Sequence, residues 1–272
     1  MTNLLKADIY RTRKSTALYA VAVVCILFSL LSALMFRGLD WFASTLNESD
    51  IMAGGELEGV GAVLAETFRY ENAFAATKEI LISDTLIYCL IAIFVIVSGT
   101  EFTSATIKNS LMSGIRRKDV YWSKFALSVL YTAIYYFAFW ASALLSNMLI
   151  YWEGFSWNEF LNLLLIAIKQ IPIYIGVIAA GHCFVFMTQS NIGAVALYIV
   201  TFMMFNTILP IINIVSPWDF KITLLFPLYQ CISLTEPTLP VSEYLIIYGS
   251  TIIYTIMFTL AGYKKFNKAE IK

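Results

Sequence analysis

Six long apolar runs constrain the fold of this chain more than any other feature of its sequence. A helix that crosses a lipid bilayer needs about 20 predominantly apolar residues. Each run is close to that length or longer, so the pattern predicts six transmembrane helices. The runs are Ala17–Phe36, Ile80–Val97, Ala126–Tyr151, Leu161–Met187, Ile192–Ile212 and Tyr244–Tyr263.

The overall composition favours a membrane protein over a soluble helical one. Sixty per cent of the 272 residues are apolar and only 13% are charged, whereas soluble domains carry roughly 25% charged residues. A soluble bundle with six such runs would have to bury far more apolar length than a core of this size needs. We therefore expect an all-α integral membrane protein that forms one transmembrane domain over residues 1–272.

The basic residues predict how this domain is oriented. Thirteen of the 18 lysines and arginines lie before the first run, between the second and third, or after the last. Six crossings place all three regions on one side, which the positive-inside rule makes cytoplasmic. Both termini are then cytoplasmic. The first long loop on the other side is acidic, with Asp40, Glu48, Asp50, Glu56, Glu58, Glu66, Glu71 and Glu79.

Three segments outside the apolar runs have patterns of their own. In Thr2–Ser15, apolar residues recur at helical spacing, which predicts an amphipathic helix over residues 1–16 on the cytoplasmic leaflet. Gly38–Glu79 is expected to be an outer loop, irregular at first and helical over Val60–Thr77. Residues 213–242 contain four prolines around the short apolar run Ile222–Leu234, which is too short to cross and predicts a re-entrant outer segment.

The loop of residues 99–123 is long and basic for a connection between two spans. It predicts a short helix over Ser104–Ser113, which Thr103 or Ser104 can cap and Gly114 can end. So short a helix is marginal in water, and its apolar residues are unexpected on a cytoplasmic surface. We therefore expect it to dock on another protein. The apolar residues are Ile107, Leu111, Met112 and Ile115.

The sequence offers little for catalysis by this chain. It contains no G-x-x-x-x-G-K-[ST] and no G-x-S-x-G motif, and one histidine, His182, cannot form a histidine-rich metal site. No metal site or cofactor is expected. His182 lies within the fourth run, where an interhelical hydrogen bond is the expected role and a part in a substrate path or gate is the alternative.

Lys169 also lies within the fourth run, just before Pro172. A lysine at membrane depth should face the bundle interior, where it could serve a substrate path or gate. Alternatively, Leu161–Gln170 is an interfacial helix, the span begins at Ile171, and Lys169 extends its amine to the interface. Both interpretations remain open.

Nine residues in and beside this loop form a spaced pattern: Glu101, Thr106, Ile107, Lys108, Leu111, Gly114, Ile115, Arg117 and Lys124. This pattern resembles the first cytoplasmic loop of bacterial type-2 ATP-binding-cassette (ABC) exporter permeases. The family pattern is an acidic residue, G-T-I-K, a leucine, G-I-x-R and a lysine that opens the third span. This chain has Ala105 where glycine is usual and two arginines where one is typical.

The resemblance implies a permease subunit that lacks ATP chemistry of its own. Two nucleotide-binding subunits would bind ATP and Mg²⁺, and a second permease, identical or related, would complete the complex in the bacterial plasma membrane. No nucleic-acid partner is implied. The loop would contact the ATPase, and the substrates would be antimicrobial peptides, other amphipathic peptides or drugs. The expected contact residues are Glu101, Ile107, Lys108, Leu111, Met112, Ile115, Arg116 and Arg117.

Two rival functions remain. The chain could be a membrane sensor or regulatory subunit whose ATPase drives signalling, or an intramembrane enzyme, which the absence of catalytic motifs disfavours. A neighbouring ATPase gene would separate the first two functions from the enzyme. Measured efflux would separate export from sensing.

Overall fold

The computed structural model describes residues 2–53, 70, 72–83, 85–104, 106–152, 155–215, 221–236 and 238–269. These residues form helices and connections, without a strand among them. The helices are α1 (Thr2–Arg13), α2 (Thr16–Ala53), α3 (Ala73–Ile82), α4 (Thr85–Thr103), α5 (Thr106–Met112), α6 (Arg117–Tyr151), α7 (Trp157–Thr188), α8 (Asn191–Val215), α9 (Pro227–Ser233) and α10 (Val241–Lys268).

Six helices in the described residues are long and apolar enough to cross a membrane. They are α4, α6, α7, α8, α10 and the first part of α2, Thr16–Leu39. Each overlaps one of the six predicted runs, although the second span begins at Thr85 rather than at Ile80, because residues 80–82 belong to α3. The prediction of an all-α membrane protein with six spans is therefore confirmed.

The beginning of the predicted outer loop is helical, contrary to expectation. Helix α2 continues past Gly38 to Ala53, which gives it a length of about 57 Å at 1.5 Å per residue. A single glycine costs a helix only about 1 kcal/mol, and the next glycines are Gly54 and Gly55. Most of the predicted helix Val60–Thr77 lies outside the described residues.

The described helices fall into two compact units. Unit 1 comprises Met1–Ala22, Ser83–Tyr136 and Ile168–Lys272, and unit 2 comprises Val23–Ile82 and Phe137–Ala167. Helices α2, α6 and α7 contribute residues to both. The single domain over residues 1–272 stays a prediction.

Aromatic side chains and close helix contacts form much of the core of unit 1. The Tyr121 ring on α6 lies 4.9 Å from the Phe186 ring on α7, and the Tyr121 hydroxyl donates to the Thr259 carbonyl of α10 at 2.8 Å. A Cβ atom at Gly262 of α10 would lie 2.7 Å from that hydroxyl and 3.0 Å from the Cα of Cys183. Glycine at this position therefore allows α7 and α10 to approach closely.

Unit 2 joins its helices through small polar side chains as well as aromatic ones. Ser29 Oγ of α2 donates to Ser142 Oγ of α6 at 2.8 Å. The Asn147 amide of α6 donates to Thr77 Oγ1 of α3 at 3.0 Å. Interhelical hydrogen bonds of this kind are typical of helices that associate in lipid, where burial of apolar surface contributes little.

The predicted outer segment packs into unit 1. After a 3₁₀ turn, Ile222–Leu225, helix α9 begins at Pro227, whose fixed φ suits a first helical position. Leu224 and Cys231 of this segment are buried. The segment is thus part of the bundle, while its depth in a membrane stays a prediction.

Candidate functional site

The predicted short loop helix is present as α5, and local geometry explains its end. Gly114 has φ +87°, a left-handed conformation that favours glycine. The Gly114 amide donates to the Leu111 carbonyl at 3.1 Å, and the Ile115 amide donates to the Ser110 carbonyl at 3.3 Å. These two bonds satisfy carbonyls at the helix end and turn the chain toward α6.

The residues of α5 differ sharply in exposure. Ile107 is only 1% exposed, whereas Met112 is 77% exposed. Lys108 is exposed, and Leu111 and Ile115 are half-buried. The helix therefore uses Ile107 to pack against its own chain and presents Met112 and Lys108 outward.

Four charged side chains form a largely buried cluster beside the start of this loop. Lys124 Nζ lies 2.5 Å from Glu101 Oε1 and 2.6 Å from Asp8 Oδ1. Arg11 forms an ion pair with Glu101 and lies 3.8 Å from Asp8. The four formal charges cancel, which is the condition under which such groups tolerate burial. We call Asp8, Arg11, Glu101 and Lys124 the charge cluster.

The charge cluster joins three helices that are distant in sequence. Asp8 and Arg11 belong to α1, Glu101 to the end of α4, and Lys124 to the start of α6. Thr12 adds a second contact, because its hydroxyl lies 2.8 Å from the Tyr131 hydroxyl of α6. The predicted N-terminal helix exists, and its buried face is polar, since Asp8 and Thr12 lie one turn apart.

Arg117 binds the end of the last helix. One of its guanidinium nitrogens donates to the Phe266 carbonyl at 2.7 Å and to the Ala269 carbonyl at 2.6 Å. These carbonyls lie at the C-terminal end of α10. The last carbonyls of a helix have no hydrogen-bond partner within the helix, and they attract positive charge. The start of α6 and the end of α10 are thereby held together.

Three of the eight predicted contact residues therefore point inward in this chain. Glu101 lies in the charge cluster, Ile107 is buried, and Arg117 caps α10. The sequence pattern could not separate them from residues that point outward, because apolar and charged side chains in a loop can bind the same chain or another one. Met112, Lys108 and Arg116 remain on the surface; the Arg116 side chain is 80% exposed and pairs with Asp119 at 2.8 Å.

His182 is fully buried among aromatic rings of unit 1. Its Nδ1 lies within hydrogen-bonding distance, 3.2 Å, of Ser98 Oγ on α4. The rings of Phe186 and Tyr121 lie 4.6 and 4.8 Å from the imidazole. Ser98 belongs to a π-helical turn, Val95–Gly99, a feature often found at functional sites. The expected interhelical hydrogen bond is present, and a gating role for His182 stays a proposal.

Lys169 lies within the continuous helix α7, and the residue at which its membrane span begins stays a prediction. Its Nζ donates to the Tyr244 hydroxyl at 3.1 Å and lies 5.4 Å from the centre of that ring. Tyr244 is in the first turn of α10. Lys169 is therefore level with the first turn of α10, and both of its expected roles, in a substrate path or at a membrane interface, stay predictions.

Two buried glutamines hold the outer segment to the bundle. Gln230 of α9 donates to Ser250 Oγ at 2.8 Å and accepts from the Tyr254 hydroxyl at 3.2 Å. Gln170 of α7 donates to the Cys231 carbonyl at 3.1 Å and accepts from the Tyr136 hydroxyl at 2.8 Å. Gln230 could have been noticed as the only amide side chain within the short apolar run Ile222–Leu234.

The family model described as ABC-2 family transporter protein matches residues 4–206, which is three quarters of the chain. The chain belongs to the ABC-2 transporter family. No curated protein and no solved structure matches it.

Membership in this family establishes the general function of the chain. The chain is a multi-pass membrane protein and a permease subunit of an ABC transporter. The matched range contains most of α1, all of α5 and the four residues of the charge cluster. Within the described residues, no group of three or more histidine, cysteine or acidic side chains is placed to hold a metal ion.

Proposed function

We propose that this permease belongs to an ATP-driven exporter and that separate nucleotide-binding subunits dock on α5. The observation that carries the proposal is the combination of an exposed Met112 at the end of α5 with a buried Ile107 at its start. One end of the helix is fixed in its own chain, and the other offers an apolar side chain to a partner.

The charge around Met112 suits a docking surface of this kind. Lys108 and Arg116 are exposed on either side of it in sequence. Buried apolar anchors usually contribute most of the affinity at such interfaces, while charges at the rim steer association. An ATPase cleft with an apolar floor and an acidic rim would complement this surface.

The inward contacts provide a path by which movement of α5 reaches the spans. A shift of α5 pulls on the end of α4, which carries Glu101. Lys124 transmits the displacement to α6, and Asp8 and Arg11 transmit it to α1. Arg117 transmits the displacement to α10, because it binds the carbonyls at the C-terminal end of that helix. Closure of the ATPase on ATP would therefore tilt several spans together rather than one loop alone.

The remaining parts of the proposal follow from the family resemblance and the charge distribution. Two nucleotide-binding subunits would hold ATP and Mg²⁺, and two permeases, identical or related, would form the membrane part in a bacterial plasma membrane. The basic ends of the helices and both termini would be cytoplasmic. The exported compounds would be amphipathic peptides or drugs.

Purification of the tagged permease from its native membrane tests this proposal. An ATP-binding subunit should co-purify in a 1:1 ratio, and the complex in proteoliposomes should couple ATP hydrolysis to efflux of an amphipathic peptide. Hydrolysis without efflux would favour a sensor. Absence of any ATP-binding protein from the purified complex would contradict the proposal.

A further inference from the structure

A cavity of about 290 Å³ lies among α7, α8, α10 and the outer segment of unit 1. Its lining is almost entirely apolar, and among the described residues no charged side chain contributes to it. Tyr254 is one of two polar residues in the lining, and its hydroxyl is already bonded to Gln230 and Thr251, both at 3.2 Å. The cavity therefore offers little to water or to a polar ligand.

The inner part of the cavity is formed by buried residues and the rim by exposed ones. Val177 and Ala180 of α7 and Phe202 of α8 are buried. Phe205 of α8 and Met257 of α10 are exposed, and both lie on helices long and apolar enough to span a membrane. Both residues lie near the middle of their helices, which would place the rim at the level of lipid chains when these helices span a bilayer.

The size and polarity of this cavity indicate its occupant. Protein interiors contain few voids larger than a water molecule, and an engineered apolar cavity of about 150 Å³ stays dry and binds benzene. A cavity of 290 Å³ beside lipid would be filled by hydrocarbon. An alkyl chain enters such a space without leaving polar atoms unpaired, whereas a peptide backbone or a headgroup would lose its hydrogen bonds.

We propose that this cavity binds a single alkyl chain of a membrane amphiphile. The alkyl chain belongs either to a resident phospholipid of the bilayer or to a single-chain amphiphile in transit. The proposal does not rest on docking of an ATPase, because binding can be measured in the permease alone and without ATP.

The test uses the full chain in lipid nanodiscs that contain a phosphatidylcholine with a diazirine near the end of one acyl chain. After irradiation, mass spectrometry locates the labelled residues. We expect labelling to saturate at a low fraction of the photoreactive lipid and to concentrate on cavity residues such as Phe202 and Met257. Competition by unlabelled phosphatidylcholine alone identifies a resident lipid. Stronger competition by lysophosphatidylcholine identifies a single-chain amphiphile.

A matched pair of substitutions controls for non-specific labelling of lipid-facing surfaces. Ala180→Phe places a ring in the cavity, whereas Ala196→Phe adds the same ring to an exposed position of α8 that is not part of the lining. We expect Ala180→Phe to abolish cavity labelling and Ala196→Phe to leave it unchanged. Ala180→Leu, which adds less volume, should give a partial loss if the phenylalanine variant does not fold.

Three results would overturn the proposal. The first is labelling that rises in proportion to the photoreactive lipid and spreads evenly over exposed helix faces. The second is equal cavity labelling in the two phenylalanine variants. The third is absence of cavity labelling together with cross-links to a second permease, which would mean that another copy covers the rim.

Discussion

Lys124 Nζ lies 2.5 Å from Glu101 Oε1, and both side chains are almost completely buried. Glu101 lies in the last turn of α4, which leads into the loop, and Lys124 lies about two turns into α6, which leaves it. The two ends of the loop are thus joined at its base by a buried ion pair. This pair, with Asp8 and Arg11, makes the loop part of the bundle rather than a free connection.

Removal of Lys124 should be costly. Lys124→Met would leave the Asp8 and Glu101 carboxylates in the cluster with only Arg11 as a partner, and breaking a buried pair in this way typically costs about 3–5 kcal/mol. We expect a clearly lower thermal midpoint of the purified permease. The control is Lys118→Met, which removes an exposed lysine nearby and should leave the midpoint unchanged.

A compensating change tests the cause of that loss. Lys124→Met combined with Glu101→Gln restores equal numbers of positive and negative charges, and we expect part of the lost stability to return. A double variant no more stable than Lys124→Met would show that packing, rather than charge balance, explains the effect.

Arg117 and Arg116 should have separable effects although they are adjacent. Arg117→Ala removes the donors to the Phe266 and Ala269 carbonyls, so amide hydrogen exchange at the end of α10 should become faster. Arg116→Ala removes only an exposed ion pair, which is worth at most about 1 kcal/mol, and should leave this exchange unchanged. Equal exchange in both variants would mean that Arg117 does not hold α10.

Gln230 should be the main polar anchor of the outer segment. Gln230→Leu leaves the hydroxyls of Ser250, Thr251 and Tyr254 without this partner, and an unsatisfied buried polar group costs about 1–3 kcal/mol. Tyr254→Phe removes only one hydroxyl and should destabilise less. Thermal denaturation of both variants measures the difference, and the reverse order would contradict the assigned role.

Much of the fold could be predicted from sequence because the deciding signals are local. A long apolar run identifies each span, and Gly114 ends α5 as the sequence predicts. The charge cluster could not be found in this way, since Asp8 and Lys124 are 116 positions apart and only packing brings them together. A lysine at the start of an apolar run was the available signal. The inward direction of Ile107 was equally hidden, because a periodic pattern gives a helix an apolar face without saying what covers it.

The two ends of α10 provide a direct test of orientation. Ser242 and Asn267 are both exposed and are separated by about 37 Å of helix. A membrane-impermeant maleimide added to intact cells should label Ser242→Cys and should not label Asn267→Cys until the membrane is opened. Cells that express the parent chain, with its four native cysteines, provide the background. Labelling of Asn267→Cys from outside would contradict a cytoplasmic C-terminus.

Co-purification of Met112→Asp tests most directly the proposed docking of a nucleotide-binding subunit on Met112. The substitution places an unpaired charge in an apolar contact, which is unfavourable. Ser113→Asp is the matched control, because it adds the same charge to the next exposed residue and keeps the methionine. We predict that Met112→Asp loses the ATP-binding subunit while remaining folded in the membrane, and that Ser113→Asp retains it. Retention of the subunit and of coupled ATP hydrolysis by Met112→Asp would contradict docking on Met112.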